Sequence, residues 1–194
     1  MAFLNNCIVN GNTASLGGGI ISVGQITLTD SPVTGNSATG SVLVPSGFGD
    51  GILNNAEGQT AGTASLTRSP VRFNIATNDG GGIGNAPGAT ATLSDHSDVA
   101  DNSTTSDGGG IANGGHMELT DSPVTHNNAA QNGGGIANKL GAASIKLTNS
   151  DVEDNDALHD GGGIVNQAGN TVALDHSKVK HNSPNDCSGV VPGC

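Results

Sequence analysis

The sequence is poor in aromatic residues, with no Trp, no Tyr and three Phe among its 194 residues. Platforms that stack on sugar rings are usually Trp or Tyr, so this composition argues against an aromatic sugar-binding cleft. A core without aromatic residues has to be built from Ile, Leu, Val and Ala. Such a core suits thin layers that are stacked by repetition.

Positive charge is also scarce, with six Lys and Arg against 17 Asp and Glu, for a net charge of −11. Recognition of a nucleic acid backbone requires clustered cations, and the sequence has no run of basic residues. We therefore expect no nucleic acid partner. The acidic residues occur mostly as single Asp residues, a pattern typical of a solvated surface with some affinity for hard cations.

Long hydrophobic runs are missing too. No segment approaches about 18 apolar residues, so the sequence predicts no transmembrane helix. The first four residues, MAFL, lack the charged and apolar regions of a signal peptide. This leaves two alternatives, a cytoplasmic protein or a secreted or cell-surface protein whose leader was removed, of which we favour the second. The two cysteines near the end, Cys187 and Cys194, are the candidates for a disulfide, whereas Cys7 has no evident partner.

What the sequence does contain is a repeated unit, seen in its plainest form at residues 102–127 as NSTTSDGGGIANGGHMELTDSPVTHN. Each unit ends on an Asn, and these Asn residues lie 24, 38, 28, 25, 28 and 27 residues apart. They are Asn12, Asn36, Asn74, Asn102, Asn127, Asn155 and Asn182. Unequal spacing of this kind indicates a repeat with loop insertions.

Aligning the units reveals columns of identical aliphatic residues. The columns are Ile20, Ile52, Ile83, Ile111, Ile136 and Ile164; Leu28, Leu66, Leu93, Leu119, Leu147 and Leu174; and Val33, Val71, Val99, Val124, Val152 and Val179. Another apolar residue lies two positions before each Leu, which is the period of a strand with one buried face. Strands this short can pair only with the next unit, which produces a parallel coil with rungs about 4.8 Å apart.

Asparagine and serine columns are predicted to mark the corners of this coil. The Asn residues that end the units tolerate the left-handed conformation and can bond to the Asn above and below, and a second Asn ladder follows the Ile column. Cys7 falls in a column of Ser residues, which favours a small buried thiol. No capping helix precedes the first coil, so we expect its edge to be open either to another chain, with a homo-oligomer as one outcome, or to preceding sequence that is missing here.

These motifs resemble a known family. Gly-Gly-x-Ile with a later x-x-x-Asn resembles the repeats of polymorphic outer membrane proteins and, more broadly, the right-handed parallel β-helix, or pectin-lyase-like, superfamily. The resemblance covers residues 4 to about 182, although the third Gly stands where the family repeat has Ala and Val stands where it has Phe. It implies an all-β, right-handed parallel β-helix of about six to seven coils, with a single domain over 1–194, repeats over 4–182 and a tail over 183–194.

The unit at 36–74 departs most from the pattern, and long loops on a rigid scaffold are where binding usually resides. We expect the loops over 37–65 to bind a small molecule, a glycan or a protein. The candidate binding residues are Phe48, Asp50, Glu57, Arg68 and Phe73. Polysaccharide lyases of the pectin-lyase-like superfamily often pair an Arg or Lys base with acidic calcium ligands. This resemblance makes Arg72 beside Asp101 a catalytic candidate, and a surface ion pair is the alternative.

Two further columns contain titratable residues. Asp79, Asp107 and Asp160 precede the glycines of three units and are a possible calcium site, the alternative being solvated or locally bonded carboxylates; no other cofactor is expected. His126, Asp154 and His181 lie on three successive rungs just before the corner Asn. This column is compatible with a transition-metal site or with a general acid or base, which makes His126 a third catalytic candidate; mutual electrostatic relief on a surface is the alternative.

Two functions remain open at this stage. The first is a non-catalytic repeat module for surface presentation, adhesion or interaction. The second is an enzyme of the pectin-lyase fold, either a polysaccharide lyase or hydrolase or a small-molecule cyclase or isomerase, with its site at the irregular 36–74 coil. The sequence favours the first, because the repeated residues are those that build rungs and because sugar-stacking aromatics are lacking.

Overall fold

The computed structural model of the chain describes residues 1–40, 51–55, 61–139 and 142–194, and within these residues it is a parallel β-solenoid of about six turns. It is all β: the described residues form strands and turns and contain no helix. Consequently no described helix is long and apolar enough to cross a membrane. The predicted parallel coil and all-β class are confirmed.

Four parallel sheets run along the described part of the stack, three of them with seven strands and one with six. The strands that contain the Leu column form the Leu sheet: Ala2–Asn5, Gln25–Thr29, Thr63–Thr67, Thr90–Ser94, His116–Thr120, Ser144–Thr148 and Thr171–Asp175. Those of the Val column form the Val sheet: Val9–Asn10, Val33–Thr34, Val71–Arg72, Val99–Ala100, Val124–Thr125, Val152–Glu153 and Val179–Lys180.

A third sheet, the Ala sheet, was not predicted from the sequence. Its strands are Thr13–Ala14, Ser37–Ala38, Ile75–Ala76, Ser103–Thr104, Asn128–Ala129 and Asp156–Ala157. The Ile sheet completes the coil: Ile20–Ser22, Ile52–Asn54, Ile83–Asn85, Ile111–Asn113, Ile136–Asn138, Ile164–Asn166 and Cys187–Gly189. Its last strand belongs to the 183–194 tail, which therefore continues the solenoid by one strand, and a disulfide joins Cys187 to Cys194.

The register stacks each aliphatic residue on its own copy, as with Leu28 on Leu66, Val71 on Val99 and Ile83 on Ile111. The middle coils bury these columns completely; Val99 and Ile111, for instance, are 0% exposed. Each such side chain contributes on the order of 1.5–3 kcal/mol by leaving water. Because the columns follow the stack, the core is a narrow prism along its axis.

The three glycines that precede the Ile strand each meet a different constraint, as Gly108, Gly109 and Gly110 illustrate. Gly108 has a φ of 72°, in the left-handed region that favours glycine. A Cβ on Gly109 would overlap the backbone carbonyls of Gly134 and Asn128, and one on Gly110 would press on the side chain of the next corner Asn. The triple glycine thus lets the turn approach the Ala strand of the following coil.

Two asparagine ladders run along the stack as predicted. In the corner ladder each Nδ2 donates to Oδ1 of the next Asn at 2.9–3.0 Å. In the ladder that follows the Ile column the same distance is 2.8 Å. The corner ladder ends at Asn182, whose Nδ2 donates to Asp186 Oδ1 at 3.0 Å. These bonds satisfy amides such as those of Asn74 and Asn113 that the core buries completely.

Two predictions about the corners are wrong. The left-handed residue is not the corner Asn but the residue just before it, for example Asp101 with a φ of 57° before Asn102. The Asn instead uses its amide to bridge coils. Cys7 does lie in the Ser column, since its backbone N–H donates to Ser31 Oγ at 3.1 Å, but its side chain is exposed rather than buried because it lies in the first coil.

Candidate binding face

The outer side of the Val sheet and the two corners that flank it, here called the Val face, gathers much of the chain's charge. Every coil places a left-handed residue at each corner. The corner toward the Leu sheet has Asn6, Asp30, Arg68, Asp95, His96, Asp121, Asn149 and His176; the corner toward the Ala sheet has Gly11, Gly35, Phe73, Asp101, His126, Asp154 and His181. Asn, Asp, His and Gly tolerate this conformation best. The backbone requirement therefore explains why acids and histidines collect on this face.

Arg68 is tied to this face by a two-pronged ion pair. Its Nε and Nη2 donate to the two carboxylate oxygens of Asp30 at 2.7 and 3.0 Å, and its Nη1 lies 3.8 Å from Asp95. The hydrogen bond from Arg68 is the main cause that lowers the pKa of Asp30, and the same bond raises the pKa of Arg68. The geometry is the fork-to-carboxylate pairing that suits a guanidinium.

The three catalytic candidates occupy the Val face on successive coils but are not brought together as the sequence suggested. Arg72 forms its ion pair with Asp98, at the opposite end of the neighbouring strand from Asp101. His126 lies with its Nε2 3.9 Å from Asp154 Oδ2, at the outer limit of an ion pair. Within the described ranges no ion pair joins Arg72 to Asp101. The chemistry visible here is local charge pairing.

A lysine from outside the acidic column bridges two of the Asp side chains that precede the glycines. Lys139 places its Nζ 2.9 Å from Asp79 Oδ2 and 2.7 Å from Asp107 Oδ2, and its side chain is 14% exposed. Burial lowers the pKa of Lys139, but the hydrogen bonds and charges of Asp107 and Asp79 outweigh this and raise it. The ammonium thus lies where the calcium hypothesis places a metal ion.

Asp160, the third member of that column, is held separately. It accepts hydrogen bonds from Ser188 Oγ at 2.6 Å and from Asn185 Nδ2 at 2.7 Å, which lower its pKa together with the backbone N–H of Gly161. In the part of the chain that the structure describes, no group of three or more His, Cys, Asp or Glu residues has the arrangement of a metal site. The alternative of locally bonded carboxylates fits this column.

A groove of about 400 Å³ opens on the Val face, away from the irregular 36–74 unit. It is lined by His96, Asp121, Pro123, Thr125, Asn149, Asp151 and Glu153. Most of these side chains come from two adjacent coils, where the short strands Val124–Thr125 and Val152–Glu153 pair in register. Its lining is mainly acidic, with one amide side chain, that of Asn149, and with Pro123 as an apolar element.

His96 reaches this groove through a one-residue insertion that the alignment of the repeats did not predict. Three residues lie between Leu93 and Ser97 along the chain, whereas two lie between Leu119 and Ser122. The extra residue produces two consecutive left-handed residues, Asp95 at φ 52° and His96 at φ 63°. The signal was present in the sequence as a change in the spacing between the Leu and Ser columns.

The predicted binding residues of the irregular unit are only partly visible. Phe48, Asp50 and Glu57 lie outside the described residues. Phe73 is 58% exposed at a left-handed corner with a φ of 57°, and Arg68 is engaged with Asp30 as described above. The binding assignment at 37–65 therefore stays a prediction.

Comparison of the chain with protein-family models, with curated proteins and with solved structures finds no match.

Proposed function

We propose that the chain is a non-catalytic β-solenoid module whose Val face engages a partner, in surface presentation, adhesion or another interaction. The observation that supports this most directly is the groove over Asp121 and Glu153, built on two rigid, in-register coils. A repeat scaffold of this kind presents side chains at fixed spacing along an extended surface, which suits recognition. We also propose that the chain is related to the right-handed, pectin-lyase-like β-helix proteins and that its repeats are of the polymorphic outer membrane protein type.

An extracellular or cell-surface location is part of the proposal as well. The disulfide between Cys187 and Cys194 supports it, because such bonds persist mainly in oxidising compartments. The bond closes the segment that adds the last strand to the Ile sheet. Self-association through the exposed first coil remains a prediction.

The test is a binding screen of the purified chain on arrays of peptides and glycans. The test variant combines Asp121→Asn, Asp151→Asn and Glu153→Gln on the Val face. A control that also removes acidic charge combines Glu118→Gln and Asp175→Asn on the Leu sheet, where both side chains are exposed. A partner that binds the native chain and the control but not the test variant supports the proposal.

The opposite outcome is turnover. If the chain releases new reducing ends or unsaturated products from polysaccharides, and Arg72→Lys or His126→Gln removes that activity, the enzyme alternative replaces the module. Binding that is lost equally in the Leu-sheet control would instead show that the Val face is not the interaction surface.

A further inference from the structure

The chain contains the heptapeptide LTDSPVT twice, at 28–34 and 119–125. The two copies fold alike: Asp30 and Asp121 both have a φ of 49°. In both, the following Ser donates its hydroxyl to the Thr carbonyl two residues back, at 2.7 Å in the first copy and 2.9 Å in the second. The two segments therefore present the same Asp, Pro and Thr side chains on the Val face in the same local geometry.

The coil that follows each copy differs in charge. After the first copy comes LTRSPVR, which places Arg68 next to Asp30 and Arg72 next to Thr34. After the second comes LTNSDVE, which places Asn149 and Glu153 at the equivalent positions. The same acidic surface is thus followed by two arginines in one case and by an amide and two acids in the other.

This difference decides whether the Asp has a counter-ion. Asp30 is gripped by both prongs of the Arg68 guanidinium. No described residue donates a hydrogen bond to the Asp121 carboxylate or forms an ion pair with it. The groove of about 400 Å³ opens beside this carboxylate. The first copy is therefore a site that the chain fills with its own arginine, and the second is the same site left open.

The other acids of the groove are partly compensated. Glu153 pairs with Lys180 at 2.9 Å, and Asp151 Oδ1 accepts the backbone N–H of Lys178 at 2.8 Å. Asp121 is thus the groove carboxylate for which neither oxygen has a partner among the described residues, and two further acids line the groove beside it. A planar, cationic group with paired N–H donors complements it best.

We propose that this groove binds the guanidinium of an arginine side chain presented by a partner protein, with Asp121 as the two-pronged acceptor. The inference rests on the proposed interaction function and names the chemistry of its partner. Thr125 and Asn149 supply further polar contacts at the rim, and Pro123 packs along the aliphatic part of the arginine. Lysine, which offers a point charge without a fork, binds more weakly.

The test uses the tripeptide acetyl-Gly-Arg-Gly-amide and its neutral isostere with citrulline in place of arginine. Each is titrated into the full ¹⁵N-labelled chain, and the amide chemical shifts are followed. We expect saturable shifts that cluster at 119–125 and 147–153 with the arginine peptide and are absent with citrulline. The Asp121→Asn variant should bind at least about tenfold more weakly, since a charge-assisted hydrogen bond is lost.

Two further variants exploit the internal copy. Asn149→Arg rebuilds the Arg68 arrangement, so it should fill the groove and abolish peptide binding. Arg68→Ala should open the first copy, so that a second set of saturable shifts appears at 28–34. Urea unfolding of each variant checks that the solenoid is intact, and the Asp30→Asn variant, which should keep the Asp121 site, is the matched control.

The contrary results are distinct. Equal shifts with citrulline, or unchanged affinity in Asp121→Asn, overturn the arginine assignment. Calcium that binds at 119–125 and displaces the peptide assigns the groove to a metal instead. A sedimentation coefficient that rises with protein concentration, and no longer does so in Asp121→Asn, assigns it to a second copy of the chain. Array binding that survives Asp121→Asn leaves the interaction function standing while the arginine inference fails.

Discussion

The ammonium nitrogen of Lys139 lies 2.7 Å from Oδ2 of Asp107, in an ion pair between residues 32 positions apart in the sequence. The same nitrogen reaches Asp79, 60 positions away, at 2.9 Å. The two carboxylates belong to neighbouring coils, where Asp79 Oδ1 also accepts the backbone N–H of Asp107 at 3.1 Å. One lysine therefore bridges two stacked acids and offsets the repulsion between them.

Replacing Lys139 by Met keeps much of the side-chain length but leaves two largely buried carboxylates without their counter-ion. We expect the free energy of unfolding to fall by about 3 kcal/mol, as happens when one partner of a buried pair is removed. Urea unfolding followed by circular dichroism measures the change. Lys146→Met, at an exposed position on the Leu sheet, is the control and should change stability by less than about 0.5 kcal/mol. Equal effects of the two substitutions would argue against a structural ion pair.

The same ion pair predicts a loss of stability in acid. Burial raises the pKa of Asp107. The hydrogen bonds and charge of Lys139, together with the bonds from Asn132, lower the pKa by more than burial raises it, so the pKa lies below its ordinary value of 3.8. The folded state then binds fewer protons than the unfolded chain near that pKa. The stabilising contribution is complete above the unfolded pKa and is lost as the pH falls through the folded pKa.

We expect the urea midpoint of the native chain to be level from about pH 7 to 5 and to drop below about pH 4. Asp30 and Asp160 also have lowered pKa values and contribute in the same range, so the informative quantity is the difference from Lys139→Met. That variant should show a shallower acid decline, since Asp107 has lost its main partner. Identical slopes for the two proteins would contradict the assignment.

The start of the second asparagine ladder contains a defect that can be repaired. Asn54 is fully buried, yet its Oδ1 meets no hydrogen-bond donor among the described residues. Ser22 is its partner in register, and the hydroxyl of Ser22 donates to the Gly24 carbonyl instead. An Asn at position 22 would supply the Nδ2 donor found at every later rung.

We expect Ser22→Asn to raise the free energy of unfolding by about 1 kcal/mol, the usual net value of one hydrogen bond. Ser22→Asp is the matched control, because an ionised Asp has nearly the same shape as Asn but has no donor for Asn54 Oδ1. It should destabilise the chain. Thermal or urea unfolding of the two variants decides the matter, and a shared gain or a shared loss would show that the ladder bond is not the cause.

The fold was predictable from the sequence because its period is expressed in large aliphatic residues. Leu119, Val124 and Ile111 each belong to a column that can be aligned by eye, and each is buried in register. The Ala sheet escaped because its strands have two residues each and bury only a small side chain such as Ala129. A methyl group gives too weak a hydrophobic signal to separate a strand from a turn.

The site was less predictable because side-chain pairing depends on where neighbouring columns lie across the coil. Column alignment placed Asp79 above Asp107, but it gave no sign that Lys139, from a turn after another strand, lies between them. It likewise put Arg72 near Asp101, whereas the ion pair formed is with Asp98. The repeated LTDSPVT and the added His96 were readable, since both are properties of spacing and identity alone.

His96 is the residue whose removal should regularise the corner beside the groove. When His96 is present, Asp95 and His96 both have left-handed backbones. The Ser97 hydroxyl then donates to the carbonyl three residues earlier, at Ser94, whereas the Ser122 hydroxyl donates to the carbonyl two residues earlier. Deleting His96 removes one non-glycine residue from a conformation that costs about 1 kcal/mol or more, so we expect a stability gain of about that size.

His96→Gly relieves the strain but keeps the extra residue, so it should share the gain. Only the deletion should reshape the groove and weaken binding of the arginine peptide. Urea unfolding and the peptide titration separate the two effects. A large loss of stability in the deletion would show that the backbone bond from His96 to the Asp121 carbonyl, 2.8 Å long, outweighs the strain.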